Sequence, residues 1–250
     1  MSGGGPVIPN FGGASKCVVN NDLFCTDWVR SNWHGTLEPA LVQHLRLTGI
    51  AVSIGFVIAL AAAIVARHTR FVEQPFTLFS ALLYTIPSIA LFQLLVPITG
   101  LTETTVEVAL VGYTLLILFR NILAGFRGVP ADVIEAARGM GLRGHQILWR
   151  VELPLAMPAI VAGLRIAVVT IVSLATLAAF VIPEGLGFPI FIALRDYFKT
   201  EIIAAGALAV LVALALVHGV RNRCTSTSAP SRASATRTAS APAAMISVLK

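Results

Sequence analysis

The residue types with the clearest chemical purpose lie between residues 135 and 154, in the stretch EAARGMGLRGHQILWRVELP. A single carboxylate, Glu135, stands next to two small residues, Ala136 and Ala137, and Gly141 follows shortly afterwards. Small side chains let the backbone of another protein approach closely, and one carboxylate supplies one directed charge. The chemistry that this pattern favours is recognition of a protein rather than bond making or breaking. We interpret the stretch as a surface for a partner protein.

Catalytic and metal-binding patterns are missing from the sequence. It has no G-x4-G-K-[ST] phosphate loop, the backbone cradle with which many ATPases hold nucleotide. No histidine or second cysteine pair stands at ligand spacing, so we predict no metal site, no bound cofactor and no catalytic residue. Cys17 and Cys25 are eight positions apart, and the sequence allows either a disulfide or two free thiols there.

The composition is that of a membrane protein. Hydrophobic residues make up 56% of the 250 residues and charged residues only 12%, with a mean hydropathy of +0.84. A soluble domain has about 25% charged residues, so this chain has too little polar surface for a water-exposed globule. The net charge of +6 comes mainly from connections between apolar runs and from the tail. Membrane topology explains that distribution, and no nucleic-acid partner is expected.

Five apolar runs are long enough to cross a bilayer, which requires about 20 helical residues. They cover residues 45–66, 76–98, 106–126, 157–182 and 202–219. Backbone amides in lipid must be paired within their own segment or by a protein neighbour, so these runs are predicted to be helices. The alternating pattern of a membrane barrel is absent from the sequence. The predicted fold class is therefore all-α, a polytopic protein with five transmembrane helices.

Basic residues in the short connections predict the orientation. The first connection carries Arg67 and Arg70, and the third carries four arginines, whereas the second has neither Lys nor Arg and carries Glu103. Because basic connections stay in the cytoplasm, the N-terminus is expected outside and the C-terminus inside. The first sixteen residues contain no apolar core, so we expect no cleavable signal peptide.

Three regions follow from this topology. Residues 1–44 form an extracytoplasmic segment, residues 45–220 form the transmembrane domain with a cytoplasmic loop at 127–156, and residues 221–250 form a tail. The tail is rich in Ser, Thr, Ala, Pro and Arg. Such a composition buries too little apolar surface to offset the entropy of ordering, so a disordered cytoplasmic tail is predicted.

Local signals divide the cytoplasmic loop into two short helices. Pro130 and Asp132 suit the first turn of a helix, where a missing N–H is tolerated and an acidic group complements the helix dipole. Gly139 and Gly141 are expected to break that helix with a tight turn. A second helix is expected over 144–151, and Pro154 is expected to end it.

The stretch resembles the cytoplasmic EAA loop in permease subunits of bacterial ABC importers, whose pattern is EAA-x3-G-x9-I-x-L-P. The matching positions are Glu135, Ala136, Ala137, Gly141, Leu153 and Pro154, with Val151 where Ile is usual. The resemblance implies a type I importer-like fold and a coupling helix that docks on a pair of cytoplasmic ATP-binding subunits. ATP and Mg²⁺ would then be bound by those subunits, and this chain would not be an enzyme. It also implies a second permease subunit, identical or similar, an extracytoplasmic substrate-binding protein and a multi-pass location in the bacterial cell membrane.

Three passages resemble the osmoprotectant type of this family: TIPSIALFQLLVPITG (85–100), RGMGLRGHQILWRVELPLAMPAI (138–160) and ATLAAFVIPEGLG (175–187). This resemblance implies glycine betaine, carnitine or choline as cargo. A quaternary ammonium group donates no hydrogen bond, so aromatic faces are expected to hold it. The candidate pathway residues are Tyr84, Pro87, Phe92, Tyr113 and Phe119. For each aromatic, ordinary packing is the alternative, and for Pro87 it is a simple kink.

Three alternative functions remain open on the sequence, one of which is a membrane anchor or assembly factor that transports nothing. An importer of methionine or another amino acid has the same five-span plan. A secondary transporter would have intramembrane carboxylates or broken helices in inverted repeats, and no such internal repeat is visible here.

Overall fold

The computed structural model describes residues 16–67 and 69–227, which are almost entirely helical and contain no β-strand in these ranges. In chain order the helices are α1 (Lys16–Val19), α2 (Thr26–Asn32), α3 (Glu38–Ala66), α4 (Arg70–Thr85), α5 (Ser88–Thr99), α6 (Glu103–Arg127), α7 (Ala131–Gly139), α8 (Gly144–Ile147), α9 (Leu153–Leu177), α10 (Gly187–Arg195) and α11 (Lys199–Thr227). A π-helical turn joins α2 to α3 (Trp33–Leu37) and another joins α8 to α9 (Leu148–Glu152), and a 3₁₀ turn (Ala178–Phe180) follows α9.

Five membrane crossings are present when one broken pair of helices counts as a single crossing. Among residues 16–67 and 69–227, four uninterrupted helical stretches are long and apolar enough to span a bilayer: Thr26–Ala66, Glu103–Arg127, Gly144–Phe180 and Lys199–Val220. The fifth crossing combines α4 and α5, which meet at an angle of 102°. The predicted all-α class with five spans is confirmed.

The second span is more sharply broken than a kinked helix. Ile86 and Pro87 both have extended backbone angles, with ψ of 128° and 136°. The residue before a proline is disfavoured in the α conformation, and the proline itself has no N–H to donate. The helix therefore stops at Thr85 and restarts at Ser88 in a new direction.

The expectation that Pro154 ends a helix is wrong. The helix that begins at Gly144 continues without interruption through Pro154 to Phe180. The π-helical turn before Pro154 makes this possible, because the N–H of Leu153 bonds the Leu148 carbonyl and a new α-helix begins there. Proline is tolerated in the first turn of a helix. The second half of the cytoplasmic loop is thus a direct extension of the fourth span.

Helix α6 lies at the centre of the bundle, between α3 and α9. Its buried residues contribute to two apolar clusters, one in the outer half around Leu110 and Val168 and one in the cytoplasmic half around Phe119 and Ile160. The helices cross closely where small residues meet: a Cβ atom on Gly163 of α9 would lie 2.4 Å from the Asn121 Cβ of α6. Small residues at such crossings let helix backbones approach in a membrane, where dispersion contacts drive association.

The loop around Asn21 is fastened to the connection between α10 and α11. The Asn21 side chain donates to the Tyr197 carbonyl at 2.8 Å and accepts from the Lys199 N–H at 3.0 Å. The Thr200 hydroxyl donates to the Asp22 carbonyl at 2.9 Å. These bonds satisfy backbone groups at the start of α11 and hold the loop against the bundle.

Cys17 and Cys25 form a disulfide that closes the loop containing Asn21 and Asp22. We expect the double variant Cys17→Ser/Cys25→Ser to lose about 2–3 kcal/mol of stability, the loop-closure value for a ring of this length. Thermal unfolding of the detergent-purified protein measures the loss. Reductant is expected to lower the melting temperature of the native protein and to leave that of the double variant unchanged. Equal melting temperatures for the two proteins without reductant contradict this role.

A group of polar residues joins the outer ends of the spans. Gly185 donates its N–H to the Gln43 side chain at 2.9 Å, and Arg46 pairs with Glu103 at 2.9 Å. Burial raises the pKa of the Glu184 carboxyl, and the nearby Glu103 carboxylate raises it further, while Arg46 opposes both effects.

Because the pKa of Glu184 is raised in the folded protein, the free energy of unfolding is expected to fall as pH rises. The folded state binds the proton more tightly than the unfolded chain, so stability declines from the ordinary glutamate pKa of 4.5 up through the raised value. We expect Glu184→Gln to flatten this decline, because a neutral amide carries no ionisation penalty. Melting temperatures measured between pH 4.5 and 8 give the two slopes, and identical slopes contradict the assignment.

The predicted tail lies mostly outside the described residues. Helix α11 continues to Thr227, past the predicted start of the tail at residue 221, and residues 228–250 are not described.

Candidate coupling segment and translocation path

The segment from Ala131 to Glu152 begins with helix α7, which ends in a specific hydrogen-bonded turn. The N–H of Leu142 bonds the Ala137 carbonyl at 3.2 Å, and the N–H of Gly141 bonds the Arg138 carbonyl at 2.9 Å. Gly141 has a φ of +81°. This pair of bonds around a left-handed residue is the Schellman motif, in which glycine is preferred because it has no Cβ. The predicted break after α7 is therefore made by Gly141, whereas Gly139 is still helical.

The turn leads directly into the short helix α8. The Arg143 N–H donates to the Gln146 side chain at 2.8 Å, which satisfies one of the free donors at the helix start. Ile147 and Leu148 are buried, and Leu148 packs in the cytoplasmic cluster together with Ala63 and Phe126. These contacts fix the position of the segment against the ends of α3 and α6.

The exposed surface of this segment contains some of the residues predicted to contact the ATP-binding subunits. It also contains two large apolar residues that were not predicted. Glu135, Ala136, Gly141 and Pro154 are exposed, and Leu153 is half-buried. Met140 and Trp149, with 75% and 60% of their surface exposed, are the large apolar side chains of the segment that face outward most. Large apolar residues in a polar loop were the signal that could have identified them.

Ala137 lies inside the segment and does not contribute to its exposed surface. Only 2% of its surface is exposed. The interpretation of Ala137 as a surface on which a partner rests directly is therefore corrected. Its small side chain lets α7 pack against α8 and the π-helical turn, because a larger residue would separate these elements.

The five candidate pathway residues fall into two groups. Phe92 and Phe119 are fully buried, in the outer and the cytoplasmic cluster respectively. Phe119 also lines a cavity of about 550 Å³ together with Glu73 and Arg120. The assignment of the two rings to the pathway stays a prediction, with packing as the alternative. Burial of each ring among the apolar side chains of its cluster stabilises the bundle.

The other three candidates meet at the break in the second span. The Tyr113 hydroxyl of α6 donates to the Ile86 carbonyl at 2.6 Å, and only 3% of the Tyr113 surface is exposed. Its ring contacts that of Tyr84 edge to face, with centroids 5.8 Å apart. Tyr84 and Pro87 are exposed. Tyr113 thus binds a backbone carbonyl at the break, where the helix is interrupted, while Tyr84 offers an accessible aromatic surface.

Residues 52–222 match the family described as "Binding-protein-dependent transport system inner membrane component". The chain belongs to this family. It is therefore a multi-pass inner-membrane protein and a transport subunit, and we refer to it below as the permease.

Several curated relatives resemble the permease over most of their length. The glycine betaine/carnitine/choline transport system permease protein of Bacillus subtilis is 32% identical over 178 residues, which cover 71% of this chain and 82% of the relative. The carnitine transport permease protein of Listeria monocytogenes is 35% identical over 188 residues, covering 75% and 85%. The choline transport system permease protein of B. subtilis is 35% identical over 185 residues, covering 73% and 83%.

Solved structures share the fold. A chain of the inward-facing MetNI methionine ABC transporter superposes with a TM-score of 0.66 at 21% sequence identity, covering 85% of the permease and 99% of that chain. A second crystal form gives a TM-score of 0.63. At this identity the likeness concerns the fold, and it confirms the type I importer-like architecture.

Proposed function

We propose that the permease carries quaternary ammonium osmoprotectants such as glycine betaine, carnitine and choline into the cell, driven by ATP hydrolysis on separate subunits. The observation that carries this proposal is the 32–35% identity, over roughly three quarters of the chain, to permeases named for these compounds. The methionine transporter resembles the permease in fold alone, so it does not favour methionine as cargo.

The five crossings of one chain form half of the proposed pathway, and a second permease subunit, identical or similar, supplies the other half. The sequence contains no phosphate loop, so a pair of cytoplasmic ATP-binding subunits is proposed to bind ATP and Mg²⁺. An extracytoplasmic binding protein is proposed to deliver the cargo, in keeping with the family description.

The exposed face of α7 and the following turn is the proposed contact with the ATP-binding subunit. Glu135 supplies a directed carboxylate, Ala136 allows close approach, and Met140 supplies a flexible apolar side chain. Gly141, Leu153 and Pro154 shape the turn and its continuation into α9. Since α8, the π-helical turn and α9 are continuous, a displacement of this face moves the fourth span with it.

The proposed pathway passes the break between α4 and α5. Tyr84 presents an exposed aromatic surface there, and a ring face attracts a quaternary ammonium through cation–π interaction. High selectivity is assigned to the binding protein rather than to this ring.

Uptake into proteoliposomes tests the proposal. The permease is reconstituted with its ATP-binding subunits, a second permease subunit and the binding protein, with ATP inside the vesicles on the side of the ATPase. We expect ATP-dependent accumulation of radiolabelled betaine, carnitine or choline, and none with a non-hydrolysable ATP analogue. Accumulation of methionine alone would establish the amino-acid alternative, and uptake that persists without ATP would establish a secondary transporter.

A further inference from the structure

A buried ion pair connects the proposed coupling segment to the first span. Arg67, the residue directly after α3, donates to the carboxylate of Glu152, the last residue of the π-helical turn. The two positions are 85 residues apart in sequence. Their side chains are only 12% and 9% exposed. This pair is therefore a long-range contact inside the protein rather than a surface salt bridge.

The third span meets the same point. The Arg67 guanidinium lies over the ring of Phe126, 6.0 Å from its centroid, and Phe126 is near the cytoplasmic end of α6. Around the pair, Ala63, Ala66 and Leu148 belong to one apolar cluster. The cytoplasmic ends of α3, α6 and the π-helical turn thus converge on the Arg67 side chain.

Stability alone does not account for a charged pair at this position. Burial lowers the pKa of the Arg67 guanidinium, which reflects the loss of its hydration. A well-packed apolar pair of similar volume is often as stabilising as a buried ion pair, or more so, because it carries no desolvation penalty. What the charged pair adds is a bond of fixed direction between two elements that move in the proposed transport cycle.

We propose that the Arg67–Glu152 pair transmits the displacement of the coupling segment to the first span. This inference rests on the proposed function, because it assigns the route by which movement of the ATP-binding subunits reaches α3. The covalent chain already carries that movement from the π-helical turn into α9. The ion pair transmits the same displacement to the neighbouring helix α3. The contact between Arg67 and Phe126 transmits it to α6. Arg67 and Glu152 are positioning residues and touch neither ATP nor cargo.

A double-mutant cycle on the complete importer tests the inference. The variants are Arg67→Gln, Glu152→Gln and the two together, and the readout is cargo molecules taken up per ATP hydrolysed. Each single change is expected to lower this ratio about tenfold, within the range reported for changes along coupling routes. The double variant is expected to be no worse than either single variant, because both changes remove the same bond. Losses that multiply, or single variants with a normal ratio, overturn the inference.

A folded variant without the pair separates transmission from stability. Breaking one partner leaves a buried charge uncompensated, which destabilises a protein strongly. The apolar pair Arg67→Met/Glu152→Leu avoids this and is expected to retain the native melting temperature while its transport ratio stays low. A normal ratio in this stable variant contradicts transmission through the bond.

An ion pair on the same side of the membrane supplies the matched control. Arg127 and Glu73 join α6 to α4, outside the apolar cluster that surrounds Arg67, and the Arg127 side chain is 51% exposed. Glu73→Gln is expected to leave the transport ratio within about twofold of the native value, because exposed pairs contribute little. A loss as large as that of Glu152→Gln would show that the effect is not specific to the Arg67–Glu152 pair, and would overturn the inference.

A second readout does not depend on the cargo. A cysteine introduced as Thr85→Cys, beside the break in the second span, is labelled by a membrane-impermeant maleimide with and without ATP. ATP is expected to change the labelling rate in the otherwise native importer, and the stable apolar variant Arg67→Met/Glu152→Leu is expected to abolish that change. An unaltered ATP response in this variant overturns the inference. If the native importer takes up no quaternary amine, the proposed function fails, and the labelling experiment still decides whether the pair transmits movement.

Discussion

Gly141→Val is expected to leave the permease folded in the membrane and to reduce ATP-driven uptake by about tenfold or more. Gly141 has a φ of +81° and closes the Schellman turn after α7. A side chain in this left-handed conformation costs roughly 1–2 kcal/mol, which lowers the equilibrium constant for forming the native turn about 5- to 30-fold. Nothing lies within 4 Å of a Cβ built at this position. The substitution therefore does not strain the bundle, and we expect it to impair the coupling of ATP hydrolysis to uptake.

The measurement compares uptake and ATP hydrolysis in proteoliposomes that contain equal amounts of correctly inserted protein. Gly139→Val is the matched control, since it adds the same side chain to the same segment where no left-handed φ is required and space is open. Gly141→Asn is a second control, because asparagine tolerates the left-handed conformation. Both controls are expected to retain most of the activity. Normal uptake by a well-expressed Gly141→Val variant would falsify the role of this turn.

Hydropathy and charge were enough to predict the membrane architecture. A bilayer imposes one length on every crossing and requires that each helix pair its own backbone, so apolar runs correspond closely to spans. The break at Pro87 was also within reach, because proline acts locally on its own residue and the preceding one. Its size of 102° was not, since the break is packed against another helix through long-range contacts such as the bond between Tyr113 and the Ile86 carbonyl.

The continuation of the fourth span through Pro154 was missed because the sequence signal for a helix end was interpreted without its context. Proline excludes the interior of a regular α-helix but not a first turn. The π-helical turn at Leu148–Glu152 converts Pro154 from an interior position to such a first turn. Turns of this kind have no reliable sequence pattern, so their location follows only from the packing of buried residues such as Leu148.

Side-chain exposure was the least predictable property of the candidate site. Phe92 and Phe119 were assigned to the pathway from their type and their span, yet both rings are fully buried. In a membrane span every face is apolar, so periodicity does not show which face points inward. The Arg67–Glu152 pair was hidden for a related reason, because its two members are far apart in sequence and each is adjacent to an ordinary helix end.

A close crossing between α6 and α9 gives the largest expected effect on folding, through Gly163→Leu. A Cβ at this position would lie 2.4 Å from the Asn121 Cβ and 2.9 Å from its Cγ. The Asn121 Cβ is bonded directly to the backbone and cannot rotate away as the end of a flexible side chain can. Helices α6 and α9 must therefore separate to accommodate the new side chain. Overpacking a tight core costs about 1–3 kcal/mol, and a displaced helix pair adds lost contacts along the whole crossing. We expect most of the protein to be lost from the monodisperse fraction in detergent.

Two comparisons distinguish this crossing from a general intolerance of bulk in the membrane. Gly49→Leu places the same side chain on an exposed part of α3 where nothing lies within 4 Å, and leucine in a span is favourable, so native yield and melting temperature are expected. Gly163→Ala introduces the contact with a single methyl group, and Asn121→Gly in the same chain removes its partner. That double variant is expected to recover most of the stability lost by Gly163→Ala, less the cost of about 1 kcal/mol for a helical glycine. Absence of recovery would mean that the two helices are held apart by something other than this contact, and the close crossing of α6 and α9 would then not set the stability of the bundle.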